Sequence, residues 1–159
     1  MEMKKIYCLF LLLVFPVLLF AQTAEKLEEL LDTPAVSYEQ AAWFALQAAD
    51  MADLSGTPEA PDSRGAFDAA VERQWFRGQI NSADSARLDM VSLLLMNSFG
   101  IKGGMFYSLF KNPHYAYREL VYQEVIQGRT DPAMNVSGHM LVFMVNRILA
   151  GLETPGSWE

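Results

Sequence analysis

The side chains best suited to chemistry in this sequence are aromatic, basic and acidic residues near turns: Trp75, Arg77, Arg87 and Asp89 in one stretch, and Arg129 with Asp131 further on. An aromatic ring packs on the apolar face of a sugar, and an arginine fork takes a carboxylate through paired hydrogen bonds, so the combination suits a glycan with anionic substituents. Each residue also has a plainer role. Trp75 is suited to core packing, and Arg87 to a surface ion pair with Asp84 or Asp89. Two carboxylates such as Asp84 and Asp89 perform acid–base work on a glycosidic bond only when they face each other across a cleft, and nothing in the sequence places them so. Glu28-Glu29 and the acids from Asp50 to Asp53 read as solvated faces. His114 and His139 are far apart and belong to neither a His-x-x-x-His nor a His-Glu-x-x-His pattern. A metal site needs three or four converging ligands, so no metal is expected. His139 is expected on the first turn of the last helix, and His114 as a cap or facing solvent. There is no nucleophile elbow, phosphate-cradling loop or dinucleotide fingerprint. No cofactor and no catalysis are expected.

The elements that must position these residues are helical. Thr23 to Leu31 carries Ala24, Leu27, Leu30 and Leu31 at helical spacing, and Asp32-Thr33-Pro34 ends it. Ser37 with Gln40 three residues on forms a capping box opening a second helix, whose buried stripe is Ala41, Phe44, Ala45 and Ala48. Leu54 to Gly65 reads as an exposed loop. A third helix spans Ala66 to Phe76, with Phe67, Ala70, Val71 and Trp75 on one side and Gly78 as its left-handed stop. Ser85 to Phe99 follows and stops at Gly100. Met105 to Phe110 is apolar and aromatic, and is either a short helix or extended. Tyr115 to Ile126 ends at Gly128, Val136 to Leu149 is the last helix, and Gly151, Pro155 and Gly156 mark a tail. The sequence predicts an all-α fold of about six helices.

Ala66 to Phe99 overlays Ala116 to Leu149 without a gap at a shift of about fifty residues, pairing Ala66 with Ala116, Val71 with Val121, Gly78 with Gly128 and Met90 with Met140. Twice that shift brings Val36-Ser37 onto Val136-Ser137. The units lie at about 23–53, 66–101 and 115–151, each helix, loop, helix, with a shortened loop in the first. One helix pair cannot bury its apolar face alone, whereas three can share a core, so pseudo-threefold packing is the expected architecture.

These units resemble the S-layer homology (SLH) domain, a family of three such repeats following a signal peptide, whose second helices open with an Ile-Thr-Arg-Ala-Glu-like box. Glu124 to Gly128, Asp131-Pro132 and Val136-Ser137 are similar to that family's helix end, loop and box opening, and Ser85-Ala86-Arg87-Leu88-Asp89 resembles the box with Arg87 and Asp89 at its basic and acidic positions. Registering on that box moves the second unit one residue from the gapless overlay, and the two registers exclude each other. The resemblance implies that the basic box residue grips an anionic cell-wall polymer between repeats. Here Gly138 and His139 follow Ser137, Tyr38 and Glu39 follow Ser37, and only Arg87 stands as a box arginine.

The first 21 residues read as a secretory signal: Lys4 and Lys5, an apolar run from Ile6 to Phe20, then Ala21. The competing reading is an uncleaved anchor, although the apolar run is short of the roughly 20 residues a span requires. Cleavage leaves residues 22–159 as one domain and removes Cys8, the only cysteine. It also removes Lys4, Lys5 and Glu2, so the 12 basic and 19 acidic residues become 10 and 18, and the net charge moves from −7 to −8. Such acidity repels phosphate backbones and anionic lipid, so no nucleic-acid partner and no stable membrane span are expected. The expectation is an exported periplasmic or envelope module without catalysis, binding cell-wall glycan through Trp75, Arg77, Arg87, Asp89, Arg129 and Asp131. The alternative is a protein-interaction or assembly factor in which the repeat is scaffold and Met105 to Phe110 docks the partner.

Overall fold

The computed structural model describes residues 25–52 and 62–152. The signal segment, most of the loop after Leu54, and Pro155 and Gly156 lie outside the described residues. The described chain is all-helical, with seven helices: α1 (25–32), α2 (Tyr38–Ala52), α3 (Ser63–Glu72), α4 (Leu88–Ser98), α5 (Met105–Leu109), α6 (Pro113–Tyr122) and α7 (Gly138–Leu152). The seventh, beyond the expected six, is α5, whose five residues are too few to display a period in the sequence.

Local chemistry accounts for most of the boundaries. At the start of α2 the Ser37 N–H donates to Gln40 Oε1 at 2.9 Å and the Gln40 N–H to Ser37 Oγ at 3.1 Å, the reciprocal capping box. Its buried stripe is Tyr38, Ala41, Ala42, Ala45 and Leu46, slightly rotated from the expected one, with Phe44 and Ala48 at its margin. Asp62 caps α3 through the Gly65 N–H, and Asn112 caps α6 through the Tyr115 N–H. Helix α3 therefore begins inside what reads as loop, and both α3 and α6 stop short of Phe76 and Ile126. Gln74 (φ 58°) and Glu124 (φ 59°) take the left-handed conformation one residue past each C-cap, so the stop comes four residues before Gly78 and Gly128. The Gln74 N–H donates to Val71 O and the Trp75 N–H to Ala70 O, which satisfies the last carbonyls of α3. Val71, still within α3, faces outward and is exposed, and the early stop takes Trp75 out of the helix. Helix α4 begins at Leu88 rather than Ser85 and ends at left-handed Gly100, as expected.

Helix α4 is central. Seven of its eleven residues are buried, so its apolar surface runs nearly all round rather than along one stripe, and Ser92 satisfies its buried hydroxyl on Leu88 O at 2.7 Å. It packs against α6 and α2, while α2 packs against α3 and α7. Where the segments preceding α2, α4 and α7 meet, the Val36 N–H donates to Val136 O (2.8 Å), the Val136 N–H to Ala86 O (3.0 Å) and the Ala86 N–H to Val36 O (2.8 Å), closing a three-membered ring of backbone hydrogen bonds. All three residues have zero exposure and stand fifty positions apart. Around the ring, Tyr38 N–H donates to Asp84 O, Leu88 N–H to Met134 O and Gly138 N–H to Thr33 O.

Candidate functional site

The ring bears on the two sequence registers. Val36, Ala86 and Val136 bond to one another through the backbone, and the residues that follow them are Ser37, Arg87 and Ser137. Ser37 Oγ and Ser137 Oγ accept from the N–H three residues on, and Arg87 stands as N-cap of α4 without a side-chain cap bond. The ring bonds join residues at fifty-residue steps, which is the spacing of the gapless overlay. Arg87 occupies the cap position, and the residues one past the caps are Tyr38, Leu88 and Gly138, each buried.

Three of the six candidate site residues come together beside the ring. Arg87 Nη2 donates to Asp89 Oδ2 at 2.8 Å, the ion pair expected from their spacing. The Asp89 N–H donates to Pro132 O at 2.9 Å, which brings Asp89 up to the loop where Asp131 Oδ1 accepts from the Ala133 N–H at 2.7 Å. Asp89 pairs with Arg87 and lies in the first turn of α4, an arrangement that orients the guanidinium. Tyr38 lies beneath, its hydroxyl accepting from the Arg87 N–H at 3.4 Å, and burial pushes its phenol above the ordinary range.

Trp75 and Arg77 are engaged elsewhere. Trp75 is half-buried under the Arg73 guanidinium, 5.1 Å from the ring centroid. Arg77 donates to Lys111 O at 2.9 Å, toward the connection between α5 and α6. Arg129 is exposed on the loop after α6. Trp75 and Arg77 thus stand apart from the Arg87, Asp89 and Asp131 group. Among the described residues no three His, Cys, Asp or Glu side chains converge as metal ligands would. His139 is on the first turn of α7 and exposed; His114 is exposed with its ring edge-on to Tyr115.

Two concavities were not legible in the sequence. A shallow groove of about 480 Å³ lies where α1 meets α7, lined by Leu31, His139, Met140, Val142, Phe143 and Asn146. At this junction Gly138 admits the α1 backbone, since a Cβ there would stand 1.6 Å from Leu30 O; the residues one past the other two caps are Tyr38 and Leu88, so aligning the caps at Ser37, Arg87 and Ser137 exposes the difference. A second cleft, of about 590 Å³, lies between the end of α4 and α5 and is walled by Tyr107 and rimmed by Lys102 and Lys111. Burial, and secondarily the charge of Glu119, raises the Tyr107 phenol above its ordinary range. Comparison of the chain with protein-family models, with curated proteins and with solved structures finds no match.

Proposed function

We propose that this chain is an exported, non-catalytic binding module of the cell envelope, built as three SLH-like helix–loop–helix units around a pseudo-threefold axis, and that its partner is an envelope protein rather than a wall polymer. The observation that carries the choice of partner is the burial of Tyr38, Leu88 and Gly138 at the three positions after the caps. An anionic polymer gripped between units needs a reachable cation there, and none of the three is basic. The hydrogen-bond ring through Val36, Ala86 and Val136 supports the three-unit reading. The open groove lined by Leu31, Met140, Val142 and Phe143 supports a protein partner, since an apolar floor edged by His139 and Asn146 suits an apolar peptide segment.

The wall-polymer reading keeps one specific support, the half-exposed Arg87 fixed by Asp89 beside Asp131. The two readings separate in a pair of measurements on chain beginning at Gln22. A photo-crosslinker at Phe143 should give one discrete adduct in envelope extract that a crosslinker at exposed Val71 does not, and the protein should stay in the supernatant with purified peptidoglycan. Pelleting that is lost in Arg87→Ala/Arg129→Ala would sink the protein-partner reading in favour of the polymer. Export is checked separately by N-terminal sequencing of the envelope fraction, where a chain starting at Met1 would contradict cleavage.

A further inference from the structure

Helix α5 buries one large side chain and turns the others outward. Tyr107 is 4 % exposed, whereas Met105, Phe106, Leu109 and Phe110 are between 51 and 76 % exposed. At helical spacing Met105, Phe106 and Leu109 share a face, and Tyr107 points the opposite way into the core. The presentation is held in place from beneath. Phe106 and Phe110 both stack on Tyr115 with ring centroids 5.9 Å apart. Gly104 N–H donates to Glu119 Oε2 at 3.0 Å, and Ser108 Oγ to Gly103 O at 3.0 Å. Gly103 lies so tightly under Tyr107 that a Cβ there would come within 2.5 Å of the ring.

The charge around this face is opposite to that of the chain. Net charge is −7, yet no Asp or Glu occurs between Asp89 and Glu119. Lys102 and Lys111 bracket α5 and rim the cleft beside it, whose lining contains no carboxylate. Arg77 reaches Lys111 O at 2.9 Å and adds a third cation, and Arg118 is exposed on α6. The nearest carboxylate, Glu119, is engaged by the Gly104 N–H and by Gln123 Nε2.

We propose that α5 is a peripheral anchor for an anionic lipid surface, with Met105, Phe106, Leu109 and Phe110 entering the headgroup–acyl boundary and Lys102, Lys111 and Arg77 meeting the headgroups. Apolar side chains beside a basic rim are what such an interface takes up. A protein interface fits less well, because lysine is depleted there, whereas a lysine stem lying along apolar surface with its head in the headgroup layer is favourable. Five residues cannot cross a bilayer, and no described helix is long and apolar enough to do so. The acidity of the whole chain, which argues against lipid binding, is overridden locally because charges beyond a Debye length of about 8 Å are screened at physiological salt. The proposal goes beyond the protein-partner reading and does not depend on it.

The test is flotation of the chain beginning at Gln22, which retains every described residue and lacks the apolar Ile6 to Phe20 run that would itself bind bilayers. It should float with phosphatidylglycerol–phosphatidylcholine vesicles and not with phosphatidylcholine alone. Phe106→Ser/Leu109→Ser should weaken binding by at least about ten-fold, and Lys102→Glu/Lys111→Glu by about five-fold for each lysine charge removed, or more. Tyr122→Ser, at an 84 % exposed position on α6, should leave binding unchanged. A Phe106→Trp variant should shift its emission to the blue on binding and be quenched by brominated acyl chains. The proposal is overturned by absence of flotation, by flotation that the serine pair does not alter, or by serine-pair loss of a soluble-protein adduct from a chain that never floats. The altered side chains are exposed, so a native circular-dichroism melt is expected; where the serine pair melts early, the glutamate pair carries the test.

Discussion

Gly138→Ala should detach α1. The Gly138 N–H donates to Thr33 O at 2.9 Å, and a Cβ at this position would stand 1.6 Å from Leu30 O and 2.5 Å from Leu30 C. A carbon approaches a carbonyl oxygen no closer than about 3.3 Å without strain, and both obstructing atoms are backbone, so no rotamer change gives relief. The last turn of α1 must move by roughly 1.5 Å or more, judged against that limit. Leu30, 2 % exposed, is the buried side chain that α1 contributes. Losing its burial costs about 2–3 kcal/mol, and losing the Gly138 hydrogen bond about 1 kcal/mol. The better helix propensity of alanine returns less than about 1 kcal/mol. The net cost is about 2–3 kcal/mol, a fall in Tm of about 10 °C for a domain of this size. Urea unfolding of Gly138→Ala, Leu30→Ala and the pair measures it. Leu30→Ala alone should cost about 2–3 kcal/mol, and the pair little more than the costlier single change, because α1 can be lost only once. A Gly138→Ala protein within about 0.5 kcal/mol of the parent, or strict additivity with Leu30→Ala, would show that α1 is not seated on Gly138.

The amides of Val36, Ala86 and Val136 should exchange with deuterium only on global unfolding, since each is buried and bonded to the next; a Val36 amide much faster than the other two would show that the α1–α2 unit opens by itself. Ser37→Ala should cost about 1 kcal/mol in urea unfolding by breaking the reciprocal capping box, and an unchanged midpoint would mean that the cap is idle. Burial raises the Tyr38 phenol above its ordinary value of 10.0, so in alkali the unfolded chain releases that proton first. The contribution is therefore intact below about pH 10 and is lost as pH rises toward the folded value. Thermal melts of Tyr38→Phe should decline less steeply than the parent's above about pH 10, and parallel declines would contradict the assignment.

How much of this was readable in the sequence depended on whether a feature is local. The Ser37–Gln40 box and the Gly100 stop are short-range patterns with one structural meaning, and both stand as expected. The stops of α3 and α6 were misplaced because Gln74 and Glu124 take the left-handed conformation that glycine usually supplies, leaving Gly78 and Gly128 to turn the loops after them. Helix α4 hid its extent of burial, since a stripe at helical spacing does not say whether the remaining residues also face neighbours. At the site, the joining of Arg87, Asp89 and Asp131 depends on backbone pairing between segments about fifty residues apart, which the gapless overlay implies but the box-based register obscures. The Arg77 bond to Lys111 joins residues that the overlay does not relate.

A scaffold closed by main-chain hydrogen bonds constrains sequence weakly. Val36, Ala86 and Val136 need only be apolar and small enough to be buried where three segments meet, because the bonds that join them use no side chain. The positions after the caps then vary as Tyr38, Leu88 and Gly138 while backbone pairing around them persists. Recognition by one side chain common to all three places does not fit these differences, whereas recognition placed where the three segments differ does. Two places differ in that sense. One is the α1–α7 junction, where Gly138 admits the backbone of Leu30. The other is α5, whose Met105-Phe106-Tyr107-Ser108-Leu109 stands fifty residues after the polar Ser55-Gly56-Thr57-Pro58-Glu59. Contact with a protein at the first and with lipid at the second would require no box motif at all, which fits a backbone ring joined at fifty-residue steps whose flanking side chains differ.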